Sequence, residues 1–178
     1  MNHLERQAVS TIIRIRPYES QDLECCRALW QDLTQWHREI YEDPTIGGDQ
    51  PGRGFDEHLT KQALAGLWLA VYDSTPAGLV GLLLDGREGI VEPVIVAPAY
   101  RFRGVGHALL RFITEEARRR RLQYLSVRPV ARNLEAVACF HSAGFRTLGH
   151  IDMFQELGPA TGGPWKTGIA IHGRRFRY

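Results

Sequence analysis

The sequence predicts a mixed α/β (α+β) domain with about seven strands and about four helices. Three apolar runs separated by turn residues succeed one another between residues 67 and 96, as in an antiparallel meander. A strand, a helix and another strand then follow between residues 90 and 127, and a right-handed crossover of this kind makes the two strands parallel. With 178 residues, 44% of them hydrophobic, the chain suits one domain over residues 1–178. Residues 1–10 are expected to be a flexible N-terminus.

The N-terminal third is expected to contain one strand and one long amphipathic helix. Thr11–Arg16 alternates β-branched and basic residues, as in a strand with one buried face. Ser20 is the expected N-cap of a helix whose apolar residues recur every three or four positions until Pro44. A loop rich in Gly and Pro covers residues 45–53, and residues 55–64 are a short helical candidate. The loop is placed where it could cover a site.

The central part contains the meander and the crossover. Its three antiparallel strands are predicted at Leu67–Tyr72, Ala77–Leu84 and Ile90–Val96. After Gly106 the apolar period becomes that of a helix, which ends in a run of four arginines that complement the helix macrodipole. Tyr124–Val127 is the next strand, parallel to the third strand of the meander.

The C-terminal third begins with a helix that has both end signals. Asn133 is the predicted N-cap, apolar residues follow at i, i+3, i+4 and i+7, and Gly144 stands where a helix C′ residue takes a positive φ. Residues 146–157 and 166–178 alternate enough to be the last two strands.

Composition excludes several classes of protein. The formal net charge of +2 is too small to indicate a polyanionic partner, so nucleic acid is not expected, and Arg118–Arg121 is interpreted as a solvated helix end. Three cysteines, two of them adjacent, argue against a disulfide framework and favour a reducing compartment. Since neither a signal-peptide pattern nor an apolar run of about 18 residues occurs, a cytoplasmic protein without membrane contact is expected.

The stretch Arg101–Gly106 leads directly into a helix and has the clearest chemical meaning. Backbone N–H groups without intrahelical partners converge there, where the macrodipole is positive, so the stretch can seat a phosphate. Gly104 and Gly106 permit a tight turn and close approach of a ligand to the backbone. Alone, the pattern is equally compatible with an ordinary strand-to-helix turn, and it matches neither a Walker loop nor G-x-G-x-x-G.

The wider pattern, R-x-x-G-x-G after an apolar strand, then N-x-x-A and a helix ending in Gly-Phe, resembles the GNAT (N-acetyltransferase) superfamily. The matching residues are Arg101, Gly104, Gly106, Asn133, Ala136, Gly144 and Phe145. The resemblance implies a GNAT fold, whose central sheet splays between its fourth and fifth strands. Pro93 supports the splay independently, because a proline inside a buried strand removes a ladder hydrogen bond and is normally confined to an edge or a bulge.

The resemblance also implies acetyl-CoA as co-substrate, and no metal. Its pyrophosphate would lie on the amides of residues 103–107, and its pantetheine arm would run along the strand Val94–Val96. The residues expected to bind it are Val94, Ile95, Val96, Arg101, Phe102, Arg103, Gly104, Val105, Gly106, His107, Asn133 and Phe140.

Glu92 is the candidate general base, since a lysine-like amine has a pKa of about 10.4 and must lose a proton before it attacks. A surface or ion-paired strand carboxylate is the alternative interpretation of Glu92. A strand amide near Ile95 would stabilise the oxyanion. Family members often carry a tyrosine at the position of Phe140 to protonate the leaving thiolate. Here the proton would come from water or from another group, such as Tyr124.

The expected function is N-acetyl transfer from acetyl-CoA to a primary amine of a small molecule, a peptide N-terminus or a lysine, by direct attack in a ternary complex. The alternative is a non-catalytic acyl-CoA-binding module. Trp36, His37 and Tyr41 are the candidate acceptor-binding residues, and the competing interpretation is that these side chains belong to the core. Many relatives pair through sheet edges or tails, so the aromatic residues near Tyr178 are compatible with a homodimer.

Overall fold

The computed structural model describes residues 13–159 and 162–178, so the expected flexible segment 1–10 lies outside the described residues, as do Thr11 and Ile12. The described strands are β1 Ile13–Pro17, β2 Leu64–Tyr72, β3 Thr75–Asp85, β4 Glu88–Val96, β5 Tyr124–Ser126, β6 Thr167–Ile171 and β7 Arg174–Arg177. The described α-helices are α1 Leu23–Tyr41, α2 Gly54–Leu59, α3 Val105–Arg119 and α4 Leu134–Ser142. This order of elements confirms the mixed α/β prediction.

Strands β1 to β5 form one mixed sheet in sequential order. The first four strands pair antiparallel, which confirms the predicted meander. β5 joins β4 in parallel after the α3 crossover, but the register covers only Glu88–Ile90 of β4. From Val91 to Val96, β4 is paired with β3 alone, so the sheet opens between β4 and β5 as the resemblance implies.

The sheet is covered on both faces. On one face α3 contributes Val105, Leu109 and Ile113, which are at most 1% exposed, to a cluster with Trp68, Val80, Leu82 and Val91. On the other face α1 and α2 contribute Cys26, Leu29 and Phe55, which join Leu67, Leu69, Leu79 and Ile95. The alternation of small and branched apolar residues along β2 and β3 therefore fills two cores at once.

The first helix begins later than Ser20, which is a correction to the predicted N-cap. Ser20–Asp22 is a 3-10 turn capped by Glu19, and α1 begins at Leu23 with Asp22 as its N-cap. Asp22 accepts from the Glu19 amide at 2.9 Å and pairs twice with Arg16 at 2.6 Å, which holds the pKa of that carboxyl below its usual range. A side chain so fully engaged fixes the preceding turn, and the helix starts after it. The second helix, predicted over residues 55–64, ends at Leu59.

The two final strands predicted at 146–157 and 166–178 are wrong in detail. Residues 146–157 form no strand, and the tail instead folds back as the antiparallel pair β6–β7, separate from the main sheet. His172 and Gly173 connect the pair with φ of +48° and +76°, as a tight two-residue hairpin turn requires. Alternation makes a strand only where an edge can pair with it, and β5 spans three residues.

Over the described ranges, the helices are too short or too polar to cross a lipid bilayer.

Candidate active site

An extra residue in β4 gives this strand its irregular shape. Val80 pairs with Val94 and Leu82 with Val91, so Glu92 and Pro93 together stand opposite Gly81. The peptide bond between Glu92 and Pro93 is cis. A Cβ on Gly81 would overlap the Glu92 carbonyl oxygen and lie 2.9 Å from both Leu67 Cδ2 and Pro93 Cδ. Only glycine therefore fits opposite the bulge, and the prediction of an irregularity at Pro93 is confirmed.

The bulge determines which way Glu92 points. Val91 and Val94 both pack on the α3 side of the sheet although they are three residues apart, and Ile95 packs on the α1 side. Glu92 stands between them and faces α2, where its Oε1 forms an ion pair with Lys61 Nζ and lies 3.7 Å from His58 Nδ1. The Glu92 side chain is 42% exposed, so solvent and a small ligand can reach it.

His58 is the buried member of this group. It is 1% exposed and lies against the Trp30 ring, with 5.3 Å between ring centroids. Neither of its ring nitrogens has a hydrogen-bond partner among the described residues. Burial lowers the pKa of His58, the nearby Lys61 ammonium lowers it further, and the Glu92 carboxylate opposes them. A neutral imidazole therefore lies beneath the ion pair.

The loop between β4 and α3 has the backbone expected of an anion seat. Phe102 and Gly104 adopt φ of +60° and +83°, and α3 begins at Val105 without a side-chain N-cap. The first-turn amides consequently keep their N–H groups free of a capping oxygen, at the positive end of a 15-residue helix. The left-handed conformation of Gly104 explains the glycine at this position, whereas Gly106 is helical.

The side chains of the loop differ in their surroundings. Arg101 lies over the Trp36 ring, with Cζ 4.8 Å from its centroid, so a predicted co-substrate residue touches a predicted acceptor residue. Arg103 Cζ lies 5.8 Å from the centroids of both Tyr72 and Tyr100. Phe102 is 91% exposed, and Val105 is buried in the core, so any contribution of Val105 to ligand binding is through its backbone.

α4 lies against the first turn of α3. His107 Nε2 is 2.8 Å from Ser142 Oγ, and a Cβ on Gly106 would lie 3.4 Å from Cys139 Sγ. Asn133 Oδ1 accepts from the Ala136 amide at 3.1 Å, which confirms the predicted N-cap. Phe140 is half-buried and meets the Phe145 ring edge-on at 6.1 Å.

A groove of about 660 Å³ begins at the loop and follows α3. Its lining includes Gly104 and His107 at the helix start, Arg111 and Arg118 further along, and Ala143 from the end of α4. The exposed amides and two guanidinium groups give this groove a positive character, which suits a ligand with several phosphates.

A second cavity, of about 300 Å³, lies at the end of α1. Tyr41, Asp43 and Glu156 line it together with Arg132 and Trp165. The Arg132 guanidinium lies between two rings, 4.7 Å from the Tyr41 centroid and 5.0 Å from that of Trp165. His37 is half-buried one turn before Tyr41, and burial lowers its pKa.

The family model described as "Acetyltransferase (GNAT) family" matches residues 29–145, which is more than half of the chain and contains β4, the loop and α3. This chain belongs to the GNAT family. Curated protein sequences yielded no significant match.

Solved structures similar to this GNAT chain include three N-acetyltransferases. The ribosomal-protein-S18-alanine N-acetyltransferase of Escherichia coli is 19% identical, with a TM-score of 0.60 over 78% of this chain and 80% of that one. The PaiA N-acetyltransferase of Thermoplasma acidophilum, in complex with coenzyme A, is 17% identical, with a TM-score of 0.65 over 76% and 90%. AAC(6′)-Iy, in complex with the bisubstrate analogue CoA-S-monomethyl-acetylneamine, is 16% identical, with a TM-score of 0.60 over 82% and 98%. These identities show a shared fold.

The GNAT site residues predicted from sequence are not all brought together. Tyr124 pairs with Glu88, four residues before Glu92, which corresponds to about 13 Å of strand. Its side chain is 66% exposed, and its hydroxyl lies 3.4 Å from Gln123 Nε2. The structure therefore does not bring Tyr124 to Glu92.

Sequence reasoning missed His58, Lys61, Gly81 and Arg132. Gly81 alone left a usable signal, since a glycine inside an apolar strand indicates a bulge or a close approach of backbone.

Proposed function

We propose that this GNAT chain transfers the acetyl group of acetyl-CoA to a primary amine by direct attack in a ternary complex. The observation that carries the proposal is the junction of an unpaired β4 edge, from Val91 to Val96, with the uncapped start of α3. An elongated ligand with phosphates at one end can lie on both. The groove along α3 adds Arg111 and Arg118 for the phosphate end, and no step of the proposal needs a metal ion.

In this reaction Glu92 removes a proton from the ammonium form of the acceptor. The amine nitrogen attacks the thioester carbonyl carbon, a C–N bond forms, the C–S bond breaks, and the electron pair leaves on sulfur. An amide near Ile95 stabilises the oxyanion. The nitrogen then loses its second proton, which reaches the thiolate through water, because Phe140 has no hydroxyl and Tyr124 of β5 pairs with Glu88, away from Glu92. A thiol with a pKa of about 8.5 leaves as thiolate at a cost of only about 2 kcal/mol at pH 7.

The acceptor is proposed to be a cationic amine that enters beside α1. Tyr41, Asp43 and Glu156 line the cavity of about 300 Å³ there, and its two carboxylates suit a cation. Trp36 lies under Arg101, between this region and the co-substrate loop.

The test is thiol release from acetyl-CoA with a panel of amines. Glu92→Gln should lower kcat/KM by about 10²-fold with little change in co-substrate affinity, because a general base contributes at least this much. Glu88→Gln is the matched control, a carboxylate of the same strand at its paired end. A large gain from Phe140→Tyr together with an unchanged Glu92→Gln would contradict this assignment of roles.

The second candidate is a non-catalytic acyl-CoA-binding module. Two observations favour it, namely Phe140 at the position of the family's tyrosine and Lys61 on the carboxylate of Glu92. Acetyl-CoA binding by calorimetry without thiol release on any amine would support this alternative.

A cytoplasmic location and a homodimer belong to the same proposal. The thiols Cys25, Cys26 and Cys139 are free, which suits a reducing compartment. Phe176 lies on the β6–β7 hairpin, near the aromatic end of the tail, where a second copy would pair. Sedimentation of the purified chain tests the dimer.

A further inference from the structure

Lys61 places a primary amine on the carboxylate that we propose as the general base. The Lys61 backbone is fixed in the turn after α2. Its amide donates to the His58 backbone carbonyl at 3.2 Å, and its carbonyl accepts from the Leu64 amide at 3.0 Å. Its side chain is 42% exposed, and Nζ forms the ion pair with Glu92 Oε1. The ammonium is therefore both held in place and accessible.

The choice of lysine here is unusual for this chain. The sequence contains two lysines, Lys61 and Lys166, among 22 basic residues. In the described part of the chain, the remaining ion pairs use arginine guanidinium groups or an imidazole. An arginine in place of Lys61 would pair with a carboxylate at least as well, but a guanidinium does not lose its proton or accept an acyl group readily.

The position of Lys61 is that of an acceptor. In the proposed reaction the attacking nitrogen must be within reach of Glu92 and beside the acyl end of the co-substrate. A pantetheine arm that starts at the α3 amides and follows β4 would run from Val96 toward Glu92. Glu92 lies on the Val96 side of Ile90, the last residue of β4 that pairs with β5, and is two residues from it. Lys61 and the acyl end therefore meet at the same carboxylate.

We propose that Lys61 is a self-acetylation site of this protein, an inference that rests on the proposed acetyl transfer. Glu92 takes a proton from Lys61 Nζ, the nitrogen attacks the thioester carbonyl carbon, a C–N bond forms and the C–S bond breaks. The sulfur leaves with the electron pair and takes up, through water, the second proton that the nitrogen loses. Glu92 releases the first proton to solvent, so the products are Nε-acetyl-Lys61, CoA and one proton. The acetamide carries no charge, so the ion pair disappears and the Glu92 carboxylate becomes free for another amine.

The test is incubation of the full chain with acetyl-CoA, followed by peptide mass spectrometry. The fraction of Lys61 that becomes acetylated per unit time should not depend on protein concentration, as expected for a reaction within one chain. Exposed Lys166 serves as the internal control for non-enzymatic acetylation. Glu92→Gln should slow the modification of Lys61 by about 10²-fold and leave that of Lys166 unchanged. Lys61→Arg should abolish the modification at this position and slow transfer to an external amine, because the guanidinium stays paired with Glu92.

Equal modification of the two lysines, or Lys61 acetylation that survives Glu92→Gln, would overturn the inference. No acetyl-Lys61 in a preparation that acetylates an external amine would overturn it too, while the proposed function stands. Absence of acetyl-CoA binding and of transfer to every amine would instead contradict the proposed function itself.

Discussion

The central sheet and the C-terminal residues 146–178 are held by different forces. In β3 the residues Ala77–Leu83 are all buried, between the cores that α3 and α1 cover. In the C-terminal part, by contrast, Leu148, Phe154 and Leu157 are 77, 74 and 92% exposed. Apolar burial of about 25 cal/mol per Å² stabilises the sheet but contributes little to the tail.

A buried arginine compensates for this in the tail. Arg132 is 6% exposed and donates to the carbonyls of Ile40 at 3.3 Å, Pro164 at 3.0 Å and Tyr178 at 3.1 Å. The Tyr41 and Trp165 rings cover its two sides. One guanidinium thus joins the end of α1 to Pro164 and Tyr178, which lie on either side of the β6–β7 hairpin. The comparison shows that the geometry of the bulge in β4 depends on close packing, and that of the cavity at the end of α1 on one polar centre.

The largest expected effect is on the stability of the central sheet. Gly81→Ala should lower the free energy of unfolding by about 3 kcal/mol, because the new methyl group overlaps backbone at Glu92 and cannot move away. Gly149→Ala in the C-terminal part is the control, since no atom lies within 4 Å of its Cβ position, and should change stability by less than about 0.5 kcal/mol. Urea unfolding measures both. A Gly81→Ala protein as stable as the wild type would show that the bulge at Glu92 can relax.

The next effect is on the tail. Arg132→Ala should destabilise the tail locally by about 2 kcal/mol, since three carbonyls lose a charged donor. Hydrogen exchange in residues 162–178 should speed up while amides of β3 stay protected. Arg128→Ala removes an exposed arginine from the same loop and serves as the control. Equal loss of protection in β3 and in the tail would mean that the two regions unfold as one unit.

The contrast between local backbone rules and contacts that are distant in sequence explains what could be predicted. Asn133, Gly144 and Pro93 act through local backbone rules, so the capped α4 and the opening of the sheet were predictable. Arg132 acts through carbonyls at residues 40, 164 and 178, and such separations leave no local pattern. The contact between Lys61 and Glu92 likewise depends on the direction that the bulge gives to one side chain. Residues 146–157 alternated like a strand, but no edge was available to pair with them.

The smallest expected effect is on how the free energy of unfolding depends on pH. Burial lowers the pKa of His58, so the unfolded chain binds its proton more readily than the folded one as pH falls. The stabilisation from neutral His58 is therefore present above the unfolded pKa of about 6.5 and is lost progressively below it. His58→Phe should flatten the decline between pH 7.5 and about 5.5, measured by urea unfolding at each pH.

Other groups titrate differently and allow His58 to be separated. His37 also has a pKa lowered by burial, so part of the decline should survive in His58→Phe. Asp22 has a lowered pKa, and its contribution is lost only as pH falls below about 4, outside this range. Exposed His150 in the C-terminal part supplies the matched control, His150→Asn. If His150→Asn flattened the profile and His58→Phe did not, the pH dependence would belong to the tail and not to the imidazole beneath Glu92.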